Sequence, residues 1–550
     1  MRFLVKSGFL TLTCFLRADI MKTHPGFCNL LTCFLIIALA GCSKTQKTPV
    51  QTERPNVVFI IVDDLNDYQG VFGGHPQAKT PNIDQLAQSG VTFKNAHSNV
   101  PICSPSRNSL FTGVYPHDSK DFGWTKNFEQ AVLKNNKTLM EHFAENGYHV
   151  AGSGKLLHIN KKSYWHEWGV DINNYGPLAF NGKEPVGHPS VPEPFRSIGP
   201  IDGSFAPISD VPSFPENESG NGKTGWLYNI GTEDFLNYTD EQNRDLLPDE
   251  MHAQWAAKKI RALEEQDENQ PFFIGVGFVR PHTPLYAPKR FFDLFPLDEL
   301  ELSPIKEGDA QDTHYKDIYP AKIKGLRFYQ TLKESYGGDE KLGLKHFLQA
   351  YLACVAFVDE QIGIVINAVN NSKFRDNTII VLTSDHGWQM GEKDYLFKNS
   401  PWEESTRIPL IIRSPNTQTG ETVTHPVSLI DLYPTLIDLS GLAGDNRKNE
   451  RGGALGGYSL KPFLEDPNTE IWEGPNGALS VIGVGKNKKK VMKQTYSYRT
   501  KDWRYILYMN GKEELYDHRN DPYEWNNLAN ESGYSTIKQE LKEEMLAIID

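Results

Sequence analysis

The sequence predicts an α/β protein: a large mixed, mostly parallel sheet sandwiched by helices, then a smaller C-terminal α+β subdomain with an antiparallel sheet. Three observations carry this reading. Apolar runs of strand length are continuous rather than alternating, the pattern of strands buried on both faces. Helical patterns lie between them, as in an α/β sandwich. From about residue 450 the runs shorten and a hairpin turn signal joins two of them.

Taken in order, the first run is Asn56 to Val62 (NVVFIIV), and Phe272 to Gly277, Thr378 to Thr383 and Pro409 to Ile412 repeat its character. Lys137 to Asn146 is a helical pattern closed by Gly147, a residue suited to a C-cap. Leu344 to Val369 reads as a long amphipathic helix, with Leu348, Leu352, Val355 and Val358 at helical spacing. Leu429 to Leu439 is another, closed by Gly441. Residues 159–245, rich in Gly, Pro, Asn and aromatics, lack periodicity, and residues 300–335 are polar and irregular. Long irregular segments in a compact domain are usually functional, so both read as walls of a substrate cleft. Tyr496 to Arg499, Arg504 to Met509 and Glu513 to Tyr516 are expected as antiparallel strands, with Asn510-Gly511 as the turn and a helix over Ser535 to Ile549. The expected organisation is a large domain over residues 56–450 and a subdomain over 451–550.

The first 55 residues read as an address. Leu30 to Ala40 is an apolar run too short for a confident membrane span. It leads into Leu39-Ala40-Gly41-Cys42, which resembles a bacterial lipobox; residues 1–42 would then be a signal peptide with cleavage before a lipid-bearing Cys42. Met21-Lys22 offers a more compact start than Met1, and a plain secretory signal cut nearby is the alternative. Residues 43–55 read as a polar tether to a membrane face, outer membrane, periplasm or cell surface. Cys103 and Cys354 are then the cysteines left besides Cys42, too few for a disulfide framework. A chain of 550 residues has length for a large core plus a smaller unit. The net charge of −12 gives no basic footprint for nucleic acid.

Chemistry is concentrated at strand ends. Asp63-Asp64 follows the first strand, where open α/β sheets place ligands. Adjacent carboxylates are costly without a cation, and a hard ion such as Ca²⁺ suits oxygen ligands. A helix N-cap with a solvated neighbour is the plainer alternative. The strand Thr378 to Thr383 ends in Ser384-Asp385-His386-Gly387, a second acidic end with an imidazole. Cys103-Ser104-Pro105-Ser106-Arg107 places a lone cysteine ahead of Pro and Arg; a small buried Cys in a turn before a helix would also satisfy it.

Cys103 to Arg107 matches the C-x-P-S-R signature of sulfatases, and the other motifs follow in that family's order. Asp63-Asp64, Cys103 to Arg107, Gly154-Lys155-Leu156-Leu157-His158, Arg280-Pro281-His282, Asp385-His386-Gly387 and Lys398 together resemble the type I, formylglycine-dependent sulfatases of the alkaline-phosphatase-like superfamily over about residues 55–415. His386, where many sulfatases carry Asn, and the Gly-Lys-x-x-His spacing are most similar to the iduronate-2-sulfatase branch. The resemblance implies that Cys103 is converted by a maturation enzyme to Cα-formylglycine (3-oxoalanine). One Ca²⁺ per chain would be ligated by Asp63, Asp64, Asp385, His386 and the modified Cys103. Arg107 would hold the aldehyde hydrate, and Lys155 and Lys398 would clamp sulfate oxygens. In this scheme one hydrate hydroxyl attacks sulfur, His282 protonates the departing alcohol, and His158 takes the proton from the second hydroxyl as sulfate leaves. The expected substrate is a sulfated oligo- or polysaccharide, algal (ulvan, carrageenan, fucoidan) or glycosaminoglycan. Two rivals are a phosphatase or phosphodiesterase of the same superfamily, which would gather His ligands for zinc, and a non-catalytic glycan-binding surface lipoprotein.

Overall fold

The computed structural model describes residues 54–550 apart from 173, 216–221, 230–233, 267–269, 320–322 and 484–489. The signal peptide, Cys42 and nearly all of the 43–55 tether lie outside the described residues. Residues 54–550 cluster as one compact unit, and two sheets organise it.

The larger sheet has eight strands in the order Glu421–Val423, Val91–Phe93, Leu410–Arg413, Thr378–Ser384, Asn56–Val62, Phe272–Phe278, His149–Gly154 and Glu167–Trp168. The Asn56–Val62 strand is central and parallel to both neighbours. Its side chains alternate between two cores. Val58, Ile60 and Val62 face one, with Ile260 of the Pro248–Glu264 helix and Val358 of the Glu340–Asn370 helix. Val57, Phe59 and Ile61 face the other, with Phe111, Phe143 and Leu436 from helices on that side. Burial on both faces is why the strand sequence is continuously apolar.

Three expectations need correction, and one strand supplies the mixed character expected of the sheet: Leu410–Arg413 runs antiparallel to Thr378–Ser384. The connection between them holds no crossover helix, so the chain returns in the opposite sense. Residues 300–335 are not irregular throughout, since Lys324–Ser335 is a helix that buries Phe328, Tyr329 and Leu332 among polar neighbours. The long helix spans Glu340–Asn370 and is buried on most of its circumference instead of amphipathic. It is long and apolar enough to cross a membrane, yet 78% of its apolar window is buried inside the protein, which makes it a core helix. The C-terminal sheet has four strands, Gly477–Ile482, Thr495–Thr500, Trp503–Leu507 and Glu513–Asp517, one more than the sequence suggested.

The hairpin at Asn510-Gly511 and the Ser535–Ile549 helix stand where expected, with Gly511 at φ 86°. That sheet and helix share a third core into which Val100 and Ile102 insert. Val481 N–H also donates to the Asn99 carbonyl at 2.8 Å. The C-terminal sheet therefore supports the segment that leads directly into Cys103.

Candidate active site

Four neighbouring strands of the large sheet deliver the site. Thr378–Ser384 ends at Asp385 and His386, Asn56–Val62 at Asp63 and Asp64, Phe272–Phe278 ahead of Arg280 and His282, and His149–Gly154 at Lys155. All four are parallel, so their carboxyl ends open on the same edge. Gly154 makes the turn into Lys155 at φ 83°, and a Cβ there would meet the Gly277 carbonyl oxygen at 2.0 Å, so only glycine fits. Asp64 itself holds a left-handed φ of 60°, and Tyr351 of the long helix fixes it by donating to its carbonyl at 2.7 Å.

Cys103 opens the helix Cys103–Thr112, and the motif's spacing then explains itself. Pro105 lies in the first turn, where the backbone N–H has no helical acceptor to lose. Ser106 Oγ donates to the Asp385 carbonyl at 2.6 Å. Arg107, one turn after Cys103, points back into the site. Its Nε donates to Asp385 Oδ2 at 2.8 Å and its Nη2 to Asp63 Oδ1 at 3.1 Å. Its Nη1 donates to the Lys155 carbonyl and, at 3.1 Å, to that of Leu156. One guanidinium thus ties three strand ends together beneath the cysteine.

Two lysines complete the charge pattern. Lys155 Nζ pairs with Asp63 Oδ2 and lies 4.5 Å from the Tyr175 ring centroid. Lys398 Nζ lies 2.7 Å from Asp64 Oδ1 and 3.2 Å from Cys103 Sγ. His386 Nδ1 faces the Gly387 carbonyl at 3.0 Å, which places its N–H there and leaves the Nε2 lone pair free. That Nε2 is 3.3 Å from Cys103 Sγ and 3.4 Å from Asp64 Oδ1. His282 Nδ1 likewise faces the Thr283 carbonyl at 2.5 Å, and its Nε2 is 3.8 Å from Asp64 Oδ2. His158 is the one sequence-predicted residue set apart. It is half-buried beside Trp124, with ring centroids 4.7 Å apart, and its Nδ1 has no hydrogen-bond partner.

Burial and neighbouring charges act together on the site's titratable groups. Burial tends to raise Asp63, but Lys155, His282 and Arg107 outweigh it and hold that carboxyl well below its ordinary range. Asp64 goes the other way, pushed up to about 8 by burial despite Lys398 and His386. Burial and the Asp63 charge raise the Cys103 thiol. Burial, with Lys398, drives His282 well down, and burial with Lys155 brings His158 to about 4.

The donor set fits a hard divalent cation. Asp63, Cys103, Asp385 and His386 present ligand atoms within 4.8 Å of one another, and so do Asp63, Asp64, Cys103 and His282. Asp64 Oδ2 is buried with no hydrogen-bond partner, although its carboxyl lies among charges. The His386 arrangement, one ring nitrogen tied to a carbonyl and the other facing carboxylates, is how metal-bound histidines are oriented. Carboxylate oxygens predominate, which favours Ca²⁺ or Mg²⁺.

The sulfatase family model matches residues 55–442, and the model described as N-sulphoglucosamine sulphohydrolase, C-terminal, matches 391–550. The chain belongs to the sulfatase family. A sulfatase of Formosa agariphila is 33% identical over 515 residues, 92% of this chain and 89% of that one. Human iduronate 2-sulfatase is 26% identical, covering 90% and 94%, and the ulvan-active sulfatase of Formosa agariphila is 26% identical, covering 93% and 84%. Among solved structures, one in complex with its substrate D-glucosamine-2-N,6-O-disulfate superposes with a TM-score of 0.62 at 22% identity, covering 90% and 97%. The phosphonate monoester hydrolase of Agrobacterium radiobacter gives 0.62 at 22%, covering 90% and 95%, so the fold alone does not separate sulfur from phosphorus chemistry. The protein is accordingly a sulfuric ester hydrolase of alkaline-phosphatase-like fold.

Sequence reading of this sulfatase missed the supporting residues. Ser98 Oγ donates to the Asp385 carbonyl at 2.7 Å, and Asp249 accepts from the backbone of Val279 and Arg280, both at 2.9 Å. Tyr175, against Lys155, lies in a segment without periodicity and gave no local signal. Tyr351 was legible in principle as a phenol inside the apolar stretch 350–358 of the long helix.

Proposed function

We propose that this protein removes sulfate from oligosaccharides derived from sulfated polysaccharide, algal or glycosaminoglycan, using a formylglycine made from Cys103 and one bound Ca²⁺. One observation carries the reading. A single buried thiol opens the Cys103–Thr112 helix within the C-x-P-S-R motif, where four strand ends, three carboxylates and two lysines converge. In that motif the cysteine is read as the precursor of another group. Converted to formylglycine, it would supply an aldehyde hydrate as nucleophile, while Ca²⁺ held by Asp63, Asp64, Asp385 and His386 would offset negative charge on the sulfuryl oxygens.

The remaining roles follow from placement. Lys155 and Lys398 are buried cations that pair with Asp63 and Asp64 beside Cys103 and would hold an anionic sulfate ester in a site that excludes water. The carbonyl bond at His282 Nδ1 leaves Nε2 as the atom that exchanges a proton. An anionic ester beside it would raise its affinity for that proton, which it can then give to the leaving oxygen. His158, nearly neutral through burial, stands at the rim as the second base. The glycan reading rests on the ulvan-active and iduronate 2-sulfatase relatives and on the long segments after residues 159 and 300. A maturation enzyme is implied as partner, and the lipobox at Cys42 implies export and membrane anchoring. The intact charged cluster argues against a non-catalytic glycan-binding lipoprotein, and a donor set in which three carboxylates outnumber His386 and His282 argues against a zinc phosphatase.

Mass spectrometry of the Cys103 peptide tests the core of this, since conversion to the aldehyde lowers its mass. Cys103→Ser should then lose multiple turnover on sulfated oligosaccharides, because an alkoxide can accept the sulfuryl group but cannot expel it. A Cys103→Ser protein turning over at the wild-type rate would end the formylglycine reading.

A further inference from the structure

Trp124 is 53% exposed, among the most exposed large hydrophobic side chains of the described residues, and it sits beside the active centre. It lines a pocket of about 350 Å³ with Ser104, Lys126, Glu129, His158 and Ile159. Ser104 directly follows Cys103, and His158 belongs to the Gly-Lys-x-x-His segment that carries Lys155. The pocket therefore adjoins the reacting position.

The loop bearing Trp124 is braced on the Cys103 helix. Ser104 Oγ donates to the Thr125 carbonyl at 2.8 Å. Asn108 Nδ2 donates to the same carbonyl at 3.2 Å and to Asp121 Oδ2 at 2.8 Å. Thr125 Oγ1 donates to the buried Asp121 carboxylate as well. An indole exposed to water yet held on both flanks costs little further order when a ligand covers it. The one cation in the pocket, Lys126, is paired with Glu129 at 2.9 Å, so the site shows little net charge. His158 Nδ1 is buried and without a hydrogen-bond partner at its inner edge. A flat aromatic face, an apolar Ile159, a neutralised ion pair and a free ring nitrogen suit a ring with one apolar face and a hydroxylated edge. They do not suit a second sulfate.

We propose that Trp124, with Ile159 and His158, forms a pyranose subsite that stacks the sugar next to the scissile sulfate ester and so helps to set substrate specificity. This rests on the sulfated-glycan reading above.

The test is binding by calorimetry in the Cys103→Ala protein, which separates recognition from turnover. The probes are ulvan-derived oligosaccharides, a 2-O-sulfated uronate disaccharide from heparin, and inorganic sulfate. Adding Trp124→Ala should weaken at least one sugar probe roughly tenfold, about 1.4 kcal/mol, and leave inorganic sulfate within about twofold. Trp124→Phe, which keeps an aromatic face, should recover most of the loss. The subsite is overturned by unchanged affinity for both sugars, by parallel loss of sulfate binding, or by absence of sugar binding in the Cys103→Ala parent. Sulfate release by the wild type from an aryl sulfate is measured alongside. Its failure would sink the hydrolysis reading and leave the binding result to decide the subsite on its own.

Discussion

Replacing Arg107 by Ala should destabilise the protein through two carboxylates rather than through lost packing. The guanidinium is fully buried and carries four hydrogen bonds, two to Asp63 and Asp385 and two to the carbonyls of Lys155 and Leu156. Asp63 keeps Lys155 when Arg107 is gone, but Asp385 has no other Lys or Arg pairing with it among the described residues. Breaking a buried pair by removing one partner typically costs about 3–5 kcal/mol, since the orphaned charge stays out of water. Arg107→Lys keeps the charge but cannot reach both carboxylates and both carbonyls at once, so a loss of about 1–3 kcal/mol is expected. The assay is equilibrium denaturation of the wild type and both variants, in Ca²⁺ and in chelator. If the same carboxylates hold a cation, Ca²⁺ should shrink the Arg107→Ala loss and chelator should enlarge it. A loss under about 0.5 kcal/mol, the scale of surface substitutions, would refute the clamp. An equal loss with and without Ca²⁺ would detach the clamp from the cation site.

Three further outcomes follow from the same geometry. His282→Ala should cut kcat/KM on a sugar sulfate by roughly 10²–10⁴-fold and much less on an activated aryl sulfate, whose phenolate leaves unaided; equal losses would assign His282 to binding or support. His252 is buried against Ser153 and Asn174, and burial lowers it to about 3, so between about pH 3 and 6.5 the unfolded chain binds the extra proton. Stability should rise with pH across that window, and His252→Gln should flatten part of the rise; an unchanged slope would mean that the ring titrates normally. Cys42→Ala should move the protein from the membrane fraction to the soluble fraction with activity intact, and a wild type that is already soluble would end the lipobox reading.

The sequence by itself determined the central architecture and the chemical inventory. Asn56–Val62, Phe272–Phe278 and Thr378–Ser384 were legible because strands buried on both faces must be apolar throughout. The Ser535–Ile549 helix and the Asn510-Gly511 turn were legible from local spacing and local backbone preference. Asp63, Asp64, Cys103, Asp385 and His386 could be singled out because each adjoins a strand end or a short motif, while Arg107, Lys155, His282 and Lys398 were named through the resemblance to sulfatases. Other features were set by neighbours distant in the chain. The second half of the strand His149–Gly154 is small, with Trp165 packed over Gly152 and the Gly277 carbonyl against Gly154, so it gives no apolar run to read. The sense of Leu410–Arg413 depends on the path of the chain before it, not on its own residues. That Arg107 faces two carboxylates, that Val481 braces the segment before Cys103 and that Trp124 stands exposed beside His158 are likewise contacts across sequence gaps. Residue type records which groups can carry charge or bury area. Which charges meet is fixed only when strand order brings their ends to one edge of the sheet.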